Sequence, residues 1–516
     1  MNTSTDTKPR QQLSGTVVTP GKEIILSKTK KLKGLSDIRR FFYTNNTPVY
    51  FISATNFNLL GADEWVKGFK FITYINCFNH QHPNVFTPKE EVEHEEFESI
   101  EDINNYLLEH KEVVDYIRKR GSNGNNGKAM FLMFDAKTEE LAKALGLEVC
   151  FPSAEMRNFM DNKVNTNRIA ERAGVPCVPN ILSKVENYSH LRSISQHLGN
   201  DLVIQTPFGD SGHTTFFIAT EEDYNKYAEE IEKEKELKVM KRINCRGSAI
   251  EACVTRHGTI VAPLMTELVG FKELTPYKGG WCGNEIYPGA FTEAIRGKAR
   301  EYTQLFGEEL KREGYKGYFE LDFLIDQDTK EIYLGELNPR ITGASSITNH
   351  AVFALSDMPL FLFHLLEWMD QPYDLNVKAL NARWAKKENV DSWSQLVIKH
   401  TDKAVDLITE APLSGIYKMN EDDTIEFSRL DTHRRAVENN NEAFFLRISD
   451  KGNYRYEGAD LGILVVRGRL MTDDFKLKKR AEKWINAIRS KFHGAPIEVS
   501  VQENNVHAEI GGFKML

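Results

Sequence analysis

The sequence predicts an α/β protein of several lobes, and three observations predict it. Short apolar runs, PVYFIS (Pro48 to Ser53), FKFITYINCF (Phe69 to Phe78) and AMFLMFD (Ala129 to Asp135), have the length and composition of buried strands. They alternate with segments of helical spacing such as Ala136 to Leu145, which closes at Gly146, a residue suited to a helix C-cap. The chain has 516 residues, which at about 150 residues per domain gives roughly three such bodies.

Residues 1–40 read as a flexible arm, with Lys28, Lys30, Lys31 and Lys33 as solvated charges. Residues 41–155 read as an N-terminal α/β domain. Its RGSNGNNGK segment (Arg120 to Lys128) invites comparison with a phosphate-binding P-loop. Five residues separate Gly121 from Gly127 where that motif has four, and Ala129 follows the lysine where a hydroxyl is required, so a surface loop is expected. In residues 156–374, Asp161 opens a helix that runs to Gly174 and leaves by the extended VPCVP. Asp201 to Ala219 reads as strand, glycine loop, strand; Tyr224 to Lys238 as a charged surface helix; Glu251 to Val261 and Tyr318 to Ile325 as strands, with Ile332 to Asn338 pairing back after the turn Asp326 to Lys330. Glu267 to Pro288 is either a substrate rim or ordinary surface. Residues 375–516 form a smaller α/β lobe that includes an amphipathic helix over Phe475 to Phe492.

Composition excludes several classes. Hydrophobic residues at 41% and charged residues at 27% are those of a globular chain, and 66 basic against 74 acidic residues leave no basic half for nucleic acid. Met1 to Pro20 lacks the apolar core of an export signal, and the most apolar stretch, Phe353 to Met369, is broken by Asp357, Pro359 and His364. A cytoplasmic protein without membrane or nucleic-acid partners is expected. The six cysteines lie far apart without metal-site spacing and read as reduced thiols. There is no Ser-His-Asp order and no HExxH.

The strongest chemical signal is ELDFLIDQDTKEIYLGELNPRITGASS (Glu320 to Ser346). Side chains two apart in a strand share a face, so Glu336, Asn338 and Arg340 point one way, toward Asp322 if the two strands pair. Carboxylate and amide oxygens suit Mg²⁺, and a neighbouring guanidinium suits a transferring phosphoryl group.

This segment resembles the metal-binding hairpin of the ATP-grasp superfamily, in which E-x-N-P-R follows an acidic strand. The resemblance extends back over about 190 residues, and it implies an ATP-grasp domain between an N-terminal pre-ATP-grasp domain and a C-terminal small lobe. It assigns Mg²⁺ to Asp322, Glu336 and Asn338, and the α-phosphate of ATP to Lys163. The phosphate-covering loop falls to Gly209, Asp210, Ser211, Gly212 and His213, whose glycines let backbone amides approach phosphate. The family commonly has a lysine in the strand before that loop. Here the position is Gln205, which brings no charge, with His213 as a candidate substitute or an ordinary loop histidine. In the adenine-hinge strand Met240 stands where an acid is usual, which leaves backbone groups and Lys241. Arg246 and Glu251 look inward in the resemblance, as a substrate clamp and its organiser, with a surface salt bridge as the alternative.

Superfamily members are mostly carboxylate-amine or carboxylate-thiol ligases, and the layout is most similar to the biotin-carboxylase-like branch. Those carboxylases carry a glutamate base after the arginine; here Ala344 takes its place. The small residues Thr342 to Ser346 would leave room for a larger carboxylate. The expectation is therefore an ATP- and Mg²⁺-dependent ligase that joins a small carboxylic acid, such as an amino acid, to an amine through an acyl phosphate, with a homodimer left open. Carboxyphosphate chemistry and a non-catalytic nucleotide-binding scaffold are the alternatives.

Overall fold

The apolar runs near the N-terminus form a five-stranded parallel sheet. Its order is Val85–Phe86, Phe69–Thr73, Val49–Ser53, Gly127–Phe131, Leu147–Val149. Val49–Ser53 and Gly127–Phe131 are buried at every position, as expected of strands covered on both faces. The helix Ala136–Ala144 starts on a capping box between Asp135 and Thr138 and ends before Gly146 at φ +67°. Lys128 lies inside the Gly127–Phe131 strand and pairs with Glu148, so its segment is no phosphate loop. The computed structural model describes residues 30–89, 97–122, 125–209, 214–349, 357–432 and 434–497.

Residues 30–40 of the expected arm are folded. Leu32–Lys33 pairs in parallel with Tyr373–Asp374, and the helix Gly34–Thr44 buries Ile38 and Phe42 completely. Leu35, Ile38, Phe41 and Phe42 form one apolar stripe at helical spacing, which outweighs the lysines beside it.

A second, four-stranded antiparallel sheet forms a cap in the order Asn180–Ser183, Leu237–Lys241, Leu202–Gln205, Thr215–Ile218. Its outer face (Leu202, Ile204, Leu237, Val239) packs on Leu191, Tyr224 and Ile231 of the covering helices. Its inner face sets Val203 and Met240 against Val178, Leu324 and Tyr333. The single surface helix expected over Tyr224 to Lys238 is replaced by two short helices, Glu221–Asn225 and Ala228–Glu232, and a strand. The alternation of buried Leu237 and Val239 decides the strand.

The third sheet has eleven strands and is antiparallel throughout. It runs Ile332–Asn338, Gly317–Asp326, Cys245–Thr255, Met265–Val269, Trp281–Ile286, and continues through Trp393–Lys399, Asp460–Arg467, Glu442–Arg447, Gly415–Met419 and Ile425–Arg429. Gly258–Val261 pairs back on Cys245–Thr255. The long helix Glu293–Arg312 covers one face through Ile295, Ala299, Phe306 and Leu310. The helix Lys479–Arg489, inside the expected Phe475 to Phe492, buries Trp484, Ile485 and Ile488 on the C-terminal part. Among the described residues no helix is long and apolar enough to cross a membrane.

Candidate active site between the cap and the central sheet

Register fixes which side chains share the cleft. Glu251 lies opposite Glu320 and Ala249 opposite Asp322, while across the next ladder Asp322 faces Glu336 and Glu320 faces Asn338. Directly opposed residues project from the same face. Leu324, two residues from Asp322, contacts the cap, so this face lines the cleft. The ladder slips between Asp322 and Phe323, which leaves Gly335 without a partner. That bulge moves Glu336 onto the face of Tyr333; an unbroken register would turn it away. A Cβ on Gly335 would meet the Asp322 carbonyl oxygen at 3.2 Å.

The expected carboxylates therefore meet. Asn338 Nδ2 donates to Glu320 Oε2 at 3.3 Å and to Asp322 Oδ2 at 3.4 Å, and Arg340 Nη2 donates to Asn338 Oδ1 at 2.8 Å. From the other side comes Lys163, the first residue of the helix Lys163–Ala173, whose N-cap Asn162 accepts from Val164 N and Asn165 N. Lys163 Nζ donates to Gly209 O at 2.7 Å and to Glu336 Oε1 at 3.1 Å, tying helix, glycine loop and hairpin together.

The cluster is short of positive charge. Burial first, then Glu267, Glu320 and Glu336, pushes the Asp322 carboxyl well above the usual range; burial, then Glu251 and Glu267, does the same to Glu320. Glu267, on the same face, is raised to about 7 by burial and Glu336. Asp322 Oδ1 is buried and has no hydrogen-bond partner among the described residues. A hard cation bound by Asp322 and Glu336 would satisfy that oxygen and relieve the repulsion, so the donor set fits Mg²⁺. Asn338 would join it with the amide turned over, since Oδ1 now accepts from Arg340. Among the described residues no three His, Cys, Asp or Glu side chains form a metal cage by themselves.

Several expected site residues sit elsewhere. Arg246 is five residues from Glu251 along one strand and so projects from the opposite face. There it stacks on Phe475 and lies 5.1 Å from the Phe291 ring, with burial lowering its pKa to about 10. Glu251 is wholly enclosed and accepts from Ser345 Oγ and Tyr318 OH at 2.6 Å and from Thr342 Oγ1 at 3.2 Å, so it holds the turn after Arg340 rather than a substrate. Lys241, opposite Leu202 on the outer face of the cap, is exposed. Gln205 does face the cleft, with Nε2 3.4 Å from Thr215 Oγ1 and, among the described residues, Oε1 without a partner. Asp210, Ser211, Gly212 and His213 lie outside the described residues.

The small residues after Arg340 do not open a pocket. Thr342, Ala344, Ser345 and Ser346 are buried, and the Trp281 ring lies over Gly343. Asn58 Nδ2 from the N-terminal domain donates to Thr342 O at 3.0 Å, Gln395 Nε2 from the C-terminal part donates to Gly343 O at 2.8 Å, and Ser346 also bonds Gln395. All three parts of the chain thus grip this turn. Sequence reading missed Lys238, which is 2% exposed on the cap strand directly opposite Gln205; burial lowers its pKa. The alternation of LKVM was the signal available. It also missed Trp281 and Gln395, whose roles arise only from long-range pairing.

No family model matches the sequence. Pyruvate carboxylase of Schizosaccharomyces pombe is 22% identical over 262 residues, 46% of this chain and 20% of that protein, so the match spans about a fifth of the relative's length. Among solved structures, biotin carboxylase of Campylobacter jejuni in complex with β,γ-ATP superposes with a TM-score of 0.57 at 13% identity, covering 87% of this chain and 92% of the other. N5-carboxyaminoimidazole synthase of Aspergillus clavatus, bound to ADP and 5-aminoimidazole ribonucleotide, gives 0.52 at 13% identity, covering 85% and 97%. The cap, the cleft carboxylates and a likeness that spans most of the chain make this an ATP-grasp fold in the arrangement of biotin carboxylase.

Proposed function

We propose that the chain is an ATP- and Mg²⁺-dependent ligase that converts a small carboxylic acid into an acyl phosphate and passes the acyl group to an amine, releasing ADP and phosphate. The observation that carries this reading is the convergence of Asp322, Glu336, Asn338, Arg340 and Lys163 on one cleft, with Asp322 Oδ1 unsatisfied. Mg²⁺ held by Asp322, Glu336 and Asn338 would screen the charge of the phosphates. Lys163 binds nucleotide phosphate in exchange for its contact with Glu336. Arg340, whose Nε has no partner among the described residues, orients the acid so that a carboxylate oxygen attacks the γ-phosphorus as ADP leaves. The amine then attacks the acyl carbon, phosphate departs, and the amine's proton passes to Glu267, a carboxylate on the same cleft face, or to water.

A second reading is carboxylation, in which bicarbonate is the acid; it is favoured by the names of the similar structures, one of them a carboxylase bound to MgADP and bicarbonate. Trp281 over Gly343 also leaves less space beside Arg340 for a bulky acid. One experiment separates the two: pooled carboxylic acids and amines, with and without bicarbonate, assayed for ADP and by mass spectrometry. A condensed amide supports the first reading. ADP release that requires bicarbonate, with no amide from any pair, replaces it by the second.

A further inference from the structure

We propose that Lys238 is a phosphate contact for the nucleotide, carrying from the neighbouring strand the charge that Gln205 lacks. The inference rests on the ATP reading above and adds a residue to it. Lys238 sits inside the cap, between Asn180–Ser183 and Leu202–Gln205, with Gln205 directly across the ladder. Such opposed side chains start about 5 Å apart on one face, and that face, shared with Met240 and Val203, looks into the cleft. The lysine stem is long enough to carry its ammonium past the amide.

The environment of Lys238 is what a site for an anion requires and what a structural lysine would not have. It is 2% exposed, yet among the described residues no hydrogen bond or ion pair reaches its ammonium. Burial lowers its pKa, which Cys177 and Glu336 oppose only in part and Lys163 reinforces. Beside it, Gln205 Oε1 is buried without a donor among the described residues, so a ligand that carries both anionic oxygens and a donor would be matched here. A polyphosphate that lies between Lys163 and Lys238 supplies the negative charge; Lys163 is already bonded to the carbonyl of Gly209 at the mouth of the glycine loop.

The test is equilibrium binding of ADP and of adenosine to the full chain, with wild type, Lys238→Met, and Lys238→Met combined with Gln205→Lys. Removing a charge-assisted contact should weaken ADP by about tenfold or more, leave adenosine unchanged, and be largely reversed when the ammonium is restored across the ladder. Lys238→Gln replaces Lys238→Met if the latter does not fold. Equal ADP affinity in Lys238→Met, equal losses for ADP and adenosine, or no recovery in the double variant would each overturn the assignment. If wild type itself binds neither ADP nor ATP, it is the nucleotide reading that fails.

Discussion

Gly343→Ala tests how tightly the turn after Arg340 is packed. A Cβ at this position would lie 2.3 Å from Trp281 Cη2 and 2.8 Å from Cζ2 and Cζ3. Ordinary carbon contacts begin near 3.5 Å, so the ring or the turn must yield by about 1 Å. Neither is free to do so. Trp281 Nε1 donates to Asn284 Oδ1 at 3.1 Å, while the turn is held by Asn58, Gln395 and the hydroxyl bonds to Glu251. The φ of Gly343 is not positive, so backbone strain plays no part. Overpacking of this kind destabilises by about 1–3 kcal/mol. Urea unfolding of Gly343→Ala, Trp281→Leu and the double variant measures it: a smaller side chain at 281 makes room, so the double variant should recover at least about 1 kcal/mol of the summed losses. Because Arg340 is three residues away, turnover should fall in Gly343→Ala and return in part in the double variant. Additive losses, within about 0.5 kcal/mol, would refute the packing argument.

Glu336→Gln should lower turnover by orders of magnitude and leave the fold intact, since the amide keeps the strand but holds Mg²⁺ poorly; a wild-type rate at low Mg²⁺ would contradict the assignment. Glu251→Ala should destabilise by about 2–4 kcal/mol by stripping three hydroxyls of their acceptor, while Glu251→Gln, which keeps an acceptor, should lose much less; equilibrium unfolding compares them. Stability should also depend on pH. In the folded chain Glu267, Glu320 and Asp322 hold protons that the unfolded chain has released, so stability falls as pH rises above the ordinary carboxylate range, through about 7 for Glu267. Melting of the ligand-free protein should be lower at pH 8 than at pH 6, with the gap narrowed by Mg²⁺ and ADP; a rise over that interval would show that the cluster is not as charge-strained as its burial implies.

The carboxylate hairpin was legible because its chemistry is local: two strands, one turn and a period of two place Asp322, Glu336 and Asn338 together. What the period does not show is the bulge at Gly335, which brings Glu336 and Asn338 onto the face of Tyr333. Parity also exposes the error at Arg246, since an interval of five within an unbroken strand separates it from Glu251. The helix Lys163–Ala173 was legible from its C-terminal glycine and extended exit. What could not be read is what sequence-distant partners decide. The lysines of residues 30–33 suggested a solvated arm until Tyr373–Asp374 supplied a strand to pair with, and the small residues after Arg340 suggested space until Trp281, some sixty positions earlier, filled it.

The eleven-stranded sheet bears on how the molecule can be divided and how it can move. Trp281–Ile286 and Trp393–Lys399 are joined by the pairs Gly283 with Leu396, Asn284 with Gln395, Glu285 with Ser394 and Ile286 with Trp393. A cut anywhere between residues 374 and 393 would expose both strands as raw edges, and each fragment would be prone to aggregate rather than fold as an independent module. Domain swapping or recombination at this seam should fail for the same reason. The four-stranded sheet over the cleft shares no ladder with this base and is joined to it through the segments near residues 174–179 and 242–244. Opening of the cleft by a rigid-body swing therefore belongs to that sheet, and the C-terminal third acts as part of the frame against which it swings.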